Sequence, residues 1–392
     1  MSLVFGYSNP ALQKVLLELC FGGNISLEES EFSIRLLDQS LIDDTLSGEQ
    51  LRVLPLLYRL TSLEGLSAES KLKIVNIYKH TLCRNSLMLD RLSKVQQRLE
   101  AAQFDPIIGL KGLPALAYLK QGIGARPMAD VDVLVPGMQK RSTDALAIFK
   151  EMGYVNKGNS FRSITLLSPE NLEFDIHWYL HDWALGDNLV DLVKESAKPH
   201  AFSSHNFLIP CLEHHLAHTL AHGVYTNTLT FDARWVFDFI GVFKNATCIN
   251  EDRFVQFVNK LVAPELIREA LQSLADELPK SIQIDRALLI RFKDRISTNS
   301  AWVSWLYKQN PTPNLPIDMR RGTSRLDRMK QLIIFYSLNA RLVRTIHGLT
   351  FLEYMSYSQN FTTPSKLDGF KQLVKKVFVR LPILFYRLLM QR

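Results

Sequence analysis

The sequence predicts an α+β fold in which a small mixed β-sheet core is flanked by N-terminal and C-terminal helical regions. Three observations predict it. Up to about residue 103, apolar residues recur at three- and four-residue spacing, the signature of a helix burying one stripe. From Phe104 the pattern changes to short apolar or strictly alternating runs that stop at Gly or Pro. Beyond about Asn206 the helical spacing returns.

In the first region the helical spacing runs through Leu12, Val15, Leu16 and Leu19, then Leu51, Leu54 and Tyr58, then Leu72, Val75 and Tyr78. A long amphipathic helix follows from Leu82 to Leu99. Ser47 before Glu49 and Gln50, and Ser67 before Ser70, read as helix starts. In the second region FDPIIGLKG reads as a buried strand, and LPALAYLKQG, with Pro114 in its first turn, as the helix after it. ADVDVLVP alternates and stops at a proline, so it is predicted as a strand. GMQKRSTDALAIFKEMG is a predicted helix closed by Gly153. FRSITLLS, the polar turn PEN and LEFDIHWYL form a predicted hairpin. In the third region FLIPCLEHHLAHTLAHG and FDARWVFDFIGVFKN read as helices, with more to about Lys308. QNPTPNLPIDMRRGT then reads as a linker. The expected organisation is therefore a helical region at 1–103, an α/β core at 104–205, helices completing a cleft at 206–308, and a linker with a basic helical segment at 309–392.

A chain of 392 residues, 47% apolar and 22% charged, fits a globular protein of two or three folding units. Its formal charge of +7 is uneven. From Arg320 onward fourteen Lys/Arg face three acids, a net +11, which leaves −4 for the preceding residues. That distribution argues against a sequence-specific nucleic-acid binder and for one local anionic partner. The four cysteines lie far apart without a C-x-x-C pair, which excludes a Cys-rich zinc module and a disulfide framework. No signal peptide is read in MSLVFGYSNPALQK, and the longest uncharged stretch, His214 to Phe231, is too rich in His, Thr and Asn to span a bilayer. The expected location is cytoplasmic.

The chemistry is expected on the strand carrying Asp130, Val131 and Asp132. Residues two apart on a strand share a face, so the two acids project together while Val131, Val133 and Val135 face away. Two like charges beside a packed strand are costly unless a cation neutralises them, and Mg²⁺ takes one or two carboxylates together with substrate phosphates. Taken alone, so short a motif as D-x-D is better explained by two solvated acids at a strand end. Asp175 shifts the balance. It lies among apolar residues on the predicted strand LEFDIHWYL, with Glu173 and His177 on its face. If the two strands are neighbours, Asp130, Asp132 and Asp175 converge as the cradle for two-metal phosphoryl or nucleotidyl transfer. Upstream, Gly112 allows backbone amides at a helix start to approach a phosphate, and Lys111 and Arg126 add cations within reach of a triphosphate. Each of those three is ordinary loop or ion-pair material on its own.

In the combination GLKGLPALAYL, RPMADVDVLV and FDIHW the chain resembles the uncharacterised nucleotidyltransferase family of the polymerase-β-like superfamily. The lead-in RNSLMLDRLSKVQQRL and the later HHLAH and RWVFDFI resemble that family's flanking helices, so the likeness spans roughly residues 30 to 245. The resemblance implies that Asp130 and Asp132 are paired metal ligands, that Asp175 is the third acid, and that Lys111–Gly112 forms the nucleotide-binding turn. One departure stands out. The wider superfamily carries Gly-Gly or Gly-Ser at that turn, whereas this chain has Lys111-Gly112-Leu113 and lacks the serine contact to the triphosphate.

Other features have plainer explanations. His214, His218 and His222 follow one helix face, but the outer pair lie about 12 Å apart along the axis and cannot share one ion. A polar face against the catalytic unit is the first reading, in which they could line the substrate cleft, and a metal-holding i,i+4 pair is the second. His177 reads either as a hydrogen-bond partner of a metal-bound carboxylate or as a half-buried strand histidine. Arg234 and Asp238, four apart, read as an intrahelical salt bridge. The basic C-terminal stripe from Lys371 to Arg392 suits either an anionic membrane surface or a packed helix with solvated cations. The spacing of Arg341 and His347 in itself carries no assignment.

The residues and the resemblance together predict a Mg²⁺-dependent nucleotidyltransferase using two ions and a nucleoside triphosphate. Lys111, Gly112, Arg126 and His177 would contact the nucleotide, and the acceptor would be anionic or membrane-associated. The alternatives are a catalytically silent nucleotide-binding module of the same fold and a surface-associated helical scaffold.

Overall fold

A computed structural model describes residues 10–23, 27–159, 163–180, 188–226, 233–261 and 264–297. The proline-bearing linker, Arg341, His347 and the basic stripe lie outside the described residues.

The chain opens with helices α1 (Pro10–Phe21), α2 (Leu27–Ile42), α3 (Gly48–Leu51), α4 (Leu54–Leu60) and α5 (Ala68–Ala101). Both expected helix starts hold. Ser47 and Gln50 exchange side-chain and backbone hydrogen bonds in a capping box at α3. The Ser67 hydroxyl accepts from the Ser70 amide at the start of α5, and Asp38 of α2 accepts from both the amide and the hydroxyl of Ser67. The stretches around Leu72–Tyr78 and Leu82–Leu99 form one helix of 34 residues, because neither Gly nor Pro interrupts them.

The sheet region contains β1 (Ile108–Gly109), α6 (Gly112–Leu119), β2 (Asp130–Leu134), α7 (Ser142–Glu151), β3 (Val155–Asn159), β4 (Ser163–Leu167), β5 (Glu173–His177), α8 (Asn188–Ser196), β6 (Lys198–Phe202) and β7 (His205–Ile209). The seven strands lie in the order β3-β4-β5-β2-β1-β7-β6. The predicted hairpin is present as antiparallel β4 and β5. Two findings correct the sequence reading. Phe207–Ile209, expected as the start of a helix, form most of β7, which pairs parallel with β1 and antiparallel with β6. A three-residue apolar run has no period to separate strand from helix, and Pro210 and the extended Cys211 then delay the helix. The edge strand β3 was not expected, because VNKGN is polar and its Val155 is exposed.

The sheet has two chemically different faces. Val131, Val133 and Val135 are at most 1% exposed and join Leu89, Leu92 and Val95 of α5 and Phe149 of α7 in one core. Burying each such side chain contributes roughly 1.5–3 kcal/mol, which fixes the register of β2. The alternation of the strand then turns Asp130 and Asp132 to the opposite side. Helices α9 (Leu212–Ala221), α10 (Ala233–Asn245), α11 (Glu251–Asn259), α12 (Pro264–Glu277) and α13 (Arg286–Arg295) follow the sheet and share a second core with α1, α2 and α4. No helix among the described residues is long and apolar enough to cross a membrane.

Candidate active site

Strands β2 and β5 are parallel neighbours in a register that pairs Asp130 with Glu173, Asp132 with Asp175 and Leu134 with His177. Partners in register point the same way, so Asp175 stands directly beside Asp132, with Asp130 two residues along the same face. Asp132, Asp175 and His177 each offer one ligand atom, and these atoms lie within 4.8 Å of one another. Asp132 and Asp175 therefore meet, together with His177, while Asp130, on the same face, stands outside that trio. Glu173, on the same face, lies 4.0 Å from Lys157.

Each side chain is held. Asp132 is buried, and its Oδ1 receives the Lys111 ammonium at 2.5 Å and lies 3.1 Å from His177 Nε2. Burial pushes the Asp132 carboxyl up, but the Lys111 charge and the hydrogen bonds with His177 and Lys111 outweigh it and hold the group well below the usual carboxylate range. Asp130 moves the other way. The negative charge of Asp132, followed by burial, raises it to about 6, against the pull of Lys111. Asp175 accepts a 2.6 Å hydrogen bond from the Thr165 hydroxyl on β4. The crowding of like charge at Asp130 and Asp132 and the mixed oxygen and nitrogen donor set fit a divalent cation.

Asp130 and Asp132 line a cleft of about 110 Å³. Lys111 and Gly112 line it at the start of α6, and Arg126 lines it from the segment before β2. A Cβ on Gly112 would lie 2.8 Å from Arg126 Nη1 and 2.9 Å from Met128, so any larger residue would displace one of these side chains. Opposite them stand His218, His222, Arg234, Trp235 and Asp238 from the end of α9 and from α10. A Cβ on Gly223 would lie 2.4 Å from the Trp235 ring, which explains the glycine behind that wall.

Arg126 has a partner of its own. Its Nε and Nη2 donate to the Asp238 carboxylate at 2.8–3.0 Å, with both side chains largely buried. The expected intrahelical pairing of Arg234 with Asp238 is corrected accordingly: Asp238 is taken by Arg126, and Arg234 reaches Glu49 on α3 at 3.2 Å. Long-range partners of better geometry displace the i,i+4 contact. The backbone around Arg126 is clamped by Asn85 of α5, which is fully buried. It donates to the carbonyls of Ile123 and Arg126 at 2.6 and 2.8 Å and accepts from the Met128 amide at 3.2 Å. Asn85→Ala leaves one buried and two part-buried backbone groups without this partner and is expected to cost about 3 kcal/mol in urea titration.

Residues 48–277 match a family described as uncharacterised nucleotidyltransferase. The chain belongs to this family. A comparison with curated proteins finds no match. The matched span runs from α3 to the end of α12, so it takes in the acid-bearing strands, the Lys111–Gly112 turn and the α9–α10 wall together.

The three helix-face histidines part company. His218 and His222 line the cleft. His214 turns away, its Nδ1 2.9 Å from the Ser196 hydroxyl and its ring 5.0 Å from Phe257. A step of four residues advances about 40° beyond a full turn, so three such positions cannot share one narrow cleft. Arg234, Asp238, His218 and His222 were legible as polar residues on apolar helices, but nothing in their spacing pointed to the acids.

The neighbouring His215 is buried, stacks on Tyr118 at 5.7 Å, and has no hydrogen-bond partner at either ring nitrogen among the described residues. Burial, aided by the Arg126 charge, lowers it to about 3; burial, aided by Arg253, lowers His214 to about 4. Both lie below the ordinary 6.5, so as pH falls the unfolded chain takes up protons that the folded chain refuses. The stability is complete above pH 6.5 and is lost as pH falls towards 3. In urea titrations at pH 7.5 and 5, His215→Leu is expected to narrow the difference in stability by about 2 kcal/mol. An unchanged difference would contradict the buried neutral ring.

Proposed function

We propose that this protein is a catalytically competent, divalent-metal-dependent enzyme that moves a nucleotidyl group from a nucleoside triphosphate to an acceptor hydroxyl or phosphate. The observation that carries the reading is the register of Asp132 with Asp175 on adjacent parallel strands, with Asp130 on the same face. A bound divalent cation, Mg²⁺ with two ions in play, would lower the pKa of the attacking oxygen and offset charge on the leaving pyrophosphate. Asp130, Asp132 and Asp175 hold that charge in place, and His177 orients Asp132 through Oδ1. The acceptor oxygen attacks the α-phosphorus, the bond to the bridging oxygen breaks, pyrophosphate leaves, and Asp175 takes the acceptor proton. Lys111, Gly112 and the Nη1 edge of Arg126 receive the phosphates. A cleft of about 110 Å³ is small beside the 300–1,000 Å³ typical of whole-ligand pockets, so the enclosed part takes phosphate groups and the nucleoside lies at the mouth. The net +11 from Arg320 onward favours an anionic or membrane-bound acceptor.

One observation favours the silent module: the Lys111–Asp132 pair partly neutralises the acid cluster without any metal. Calorimetric titration with ATP, CTP, GTP and UTP, with and without Mg²⁺, separates the readings. The enzyme requires metal-dependent binding that disappears in the Asp130→Asn, Asp132→Asn double variant. Binding unchanged in that variant supports the silent module, and absence of any binding supports the scaffold.

A further inference from the structure

Lys111 is held in a conformation that a lysine avoids. Its φ of 44° and ψ of −97° fall in the region favoured by glycine, and such backbone costs on the order of 1–3 kcal/mol and persists only where its surroundings enforce it. Here they do. The preceding amide, of Leu110, donates to the carbonyl of Asp132 at 2.9 Å, and α6 begins at the next residue. The result is an ammonium aimed from the cleft wall onto Asp132 Oδ1, with the lysine side chain 24% exposed and the aspartate 4%. Asp132 is also one of the three residues whose ligand atoms lie close enough to share a cation. A monovalent ammonium and a divalent ion therefore contend for one carboxylate.

We propose that Lys111 is the resident counter-cation of this metal site: it occupies Asp132 in the metal-free protein, yields it to the divalent ion, and passes its ammonium to the triphosphate. The inference rests on the metal-dependent reading given under Proposed function. Its physical basis is exchange of partners. Metal alone must break the Lys111–Asp132 pair without compensation, whereas metal arriving with nucleotide gives the ammonium new phosphate oxygens. Lys111 thus couples the two ligands, and by linkage each strengthens the other. A lysine at this turn would keep the acids from holding metal tightly before a nucleotide is present.

The test is calorimetry at pH 8 with Mn²⁺ alone and then with Mn²⁺ plus α,β-methylene-ATP, on the full chain and on Lys111→Gln. Lys111→Gly, which relaxes the strained backbone while removing the ammonium, serves as the second variant, and thermal melts check that both fold. Removing the ammonium is expected to tighten Mn²⁺ alone about tenfold, ~1.4 kcal/mol, and to weaken the nucleotide in the presence of Mn²⁺ by a similar factor. Opposite shifts for the two ligands are the signature, since a merely structural lysine would weaken both or neither. If both variants bind Mn²⁺ with wild-type affinity or more weakly, the counter-cation role is overturned while the metal site stands. If the wild type and both variants bind no Mn²⁺ with or without nucleotide, the metal-dependent reading falls and this inference with it.

Discussion

Asp132→Asn is expected to lower nucleotidyl transfer by at least about a thousandfold, ~4 kcal/mol of transition-state stabilisation, while leaving the fold intact. The carboxylate is the meeting point of the site: in register with Asp175, 3.1 Å from His177 and paired with Lys111. Asparagine keeps an oxygen for those neighbours but removes the charge a metal requires. Its removal also relieves the repulsion that raises Asp130 to about 6, which offsets part of the loss of the Lys111 pair. The metal-free variant should therefore melt lower than wild type but still cooperatively. Turnover, read as pyrophosphate release in the presence of cell extract as acceptor source, should disappear. A variant that keeps more than a tenth of wild-type turnover would contradict the role of Asp132.

Asp238→Ala should act in the opposite sense, on stability first. Arg126 and Asp238 share a side-on, doubly hydrogen-bonded pair in which both side chains are only 12–13% exposed. Removing one partner leaves a guanidinium largely out of water with no counter-charge, a loss of about 3–5 kcal/mol. Removing both, as Arg126→Met with Asp238→Leu, should restore most of that stability, because the cost of a buried pair lies in breaking it rather than in lacking it. Urea titrations of the two single variants and the double variant measure the coupling. A double variant as unstable as the sum of the singles would show that the pair contributes nothing by its interaction.

Much of the candidate site was legible because strand periodicity is strict. Once ADVDVLV is a strand, Val131 and Val133 must bury and Asp130 and Asp132 must share the other face. The same rule placed Asp175 and His177 together on β5. What spacing could not supply was the neighbour relation of β2 and β5, which depends on the crossover through α7, β3 and β4. Partner choice among charged residues was equally hidden. Arg234 and Asp238 have the right local spacing for each other, yet tertiary packing brings Arg126 to one and Glu49 to the other. Strand β7 was hidden for a different reason: Phe207–Ile209 are buried or half-buried in an apolar run with no alternation to read. The unusual backbone of Lys111 left no trace at all, since a lysine before Gly112 looks like any loop residue.

The account rests on a divalent cation held by acids from β2 and β5 beside the Lys111–Gly112 turn. Anomalous diffraction from crystals grown with Mn²⁺ and a non-hydrolysable nucleoside triphosphate measures that directly. The account predicts manganese peaks at about 2.0–2.4 Å from carboxylate oxygens of Asp130, Asp132 and Asp175, with the triphosphate against Gly112. Nucleotide bound in the cleft without manganese at those acids, or manganese bound only elsewhere, would contradict it.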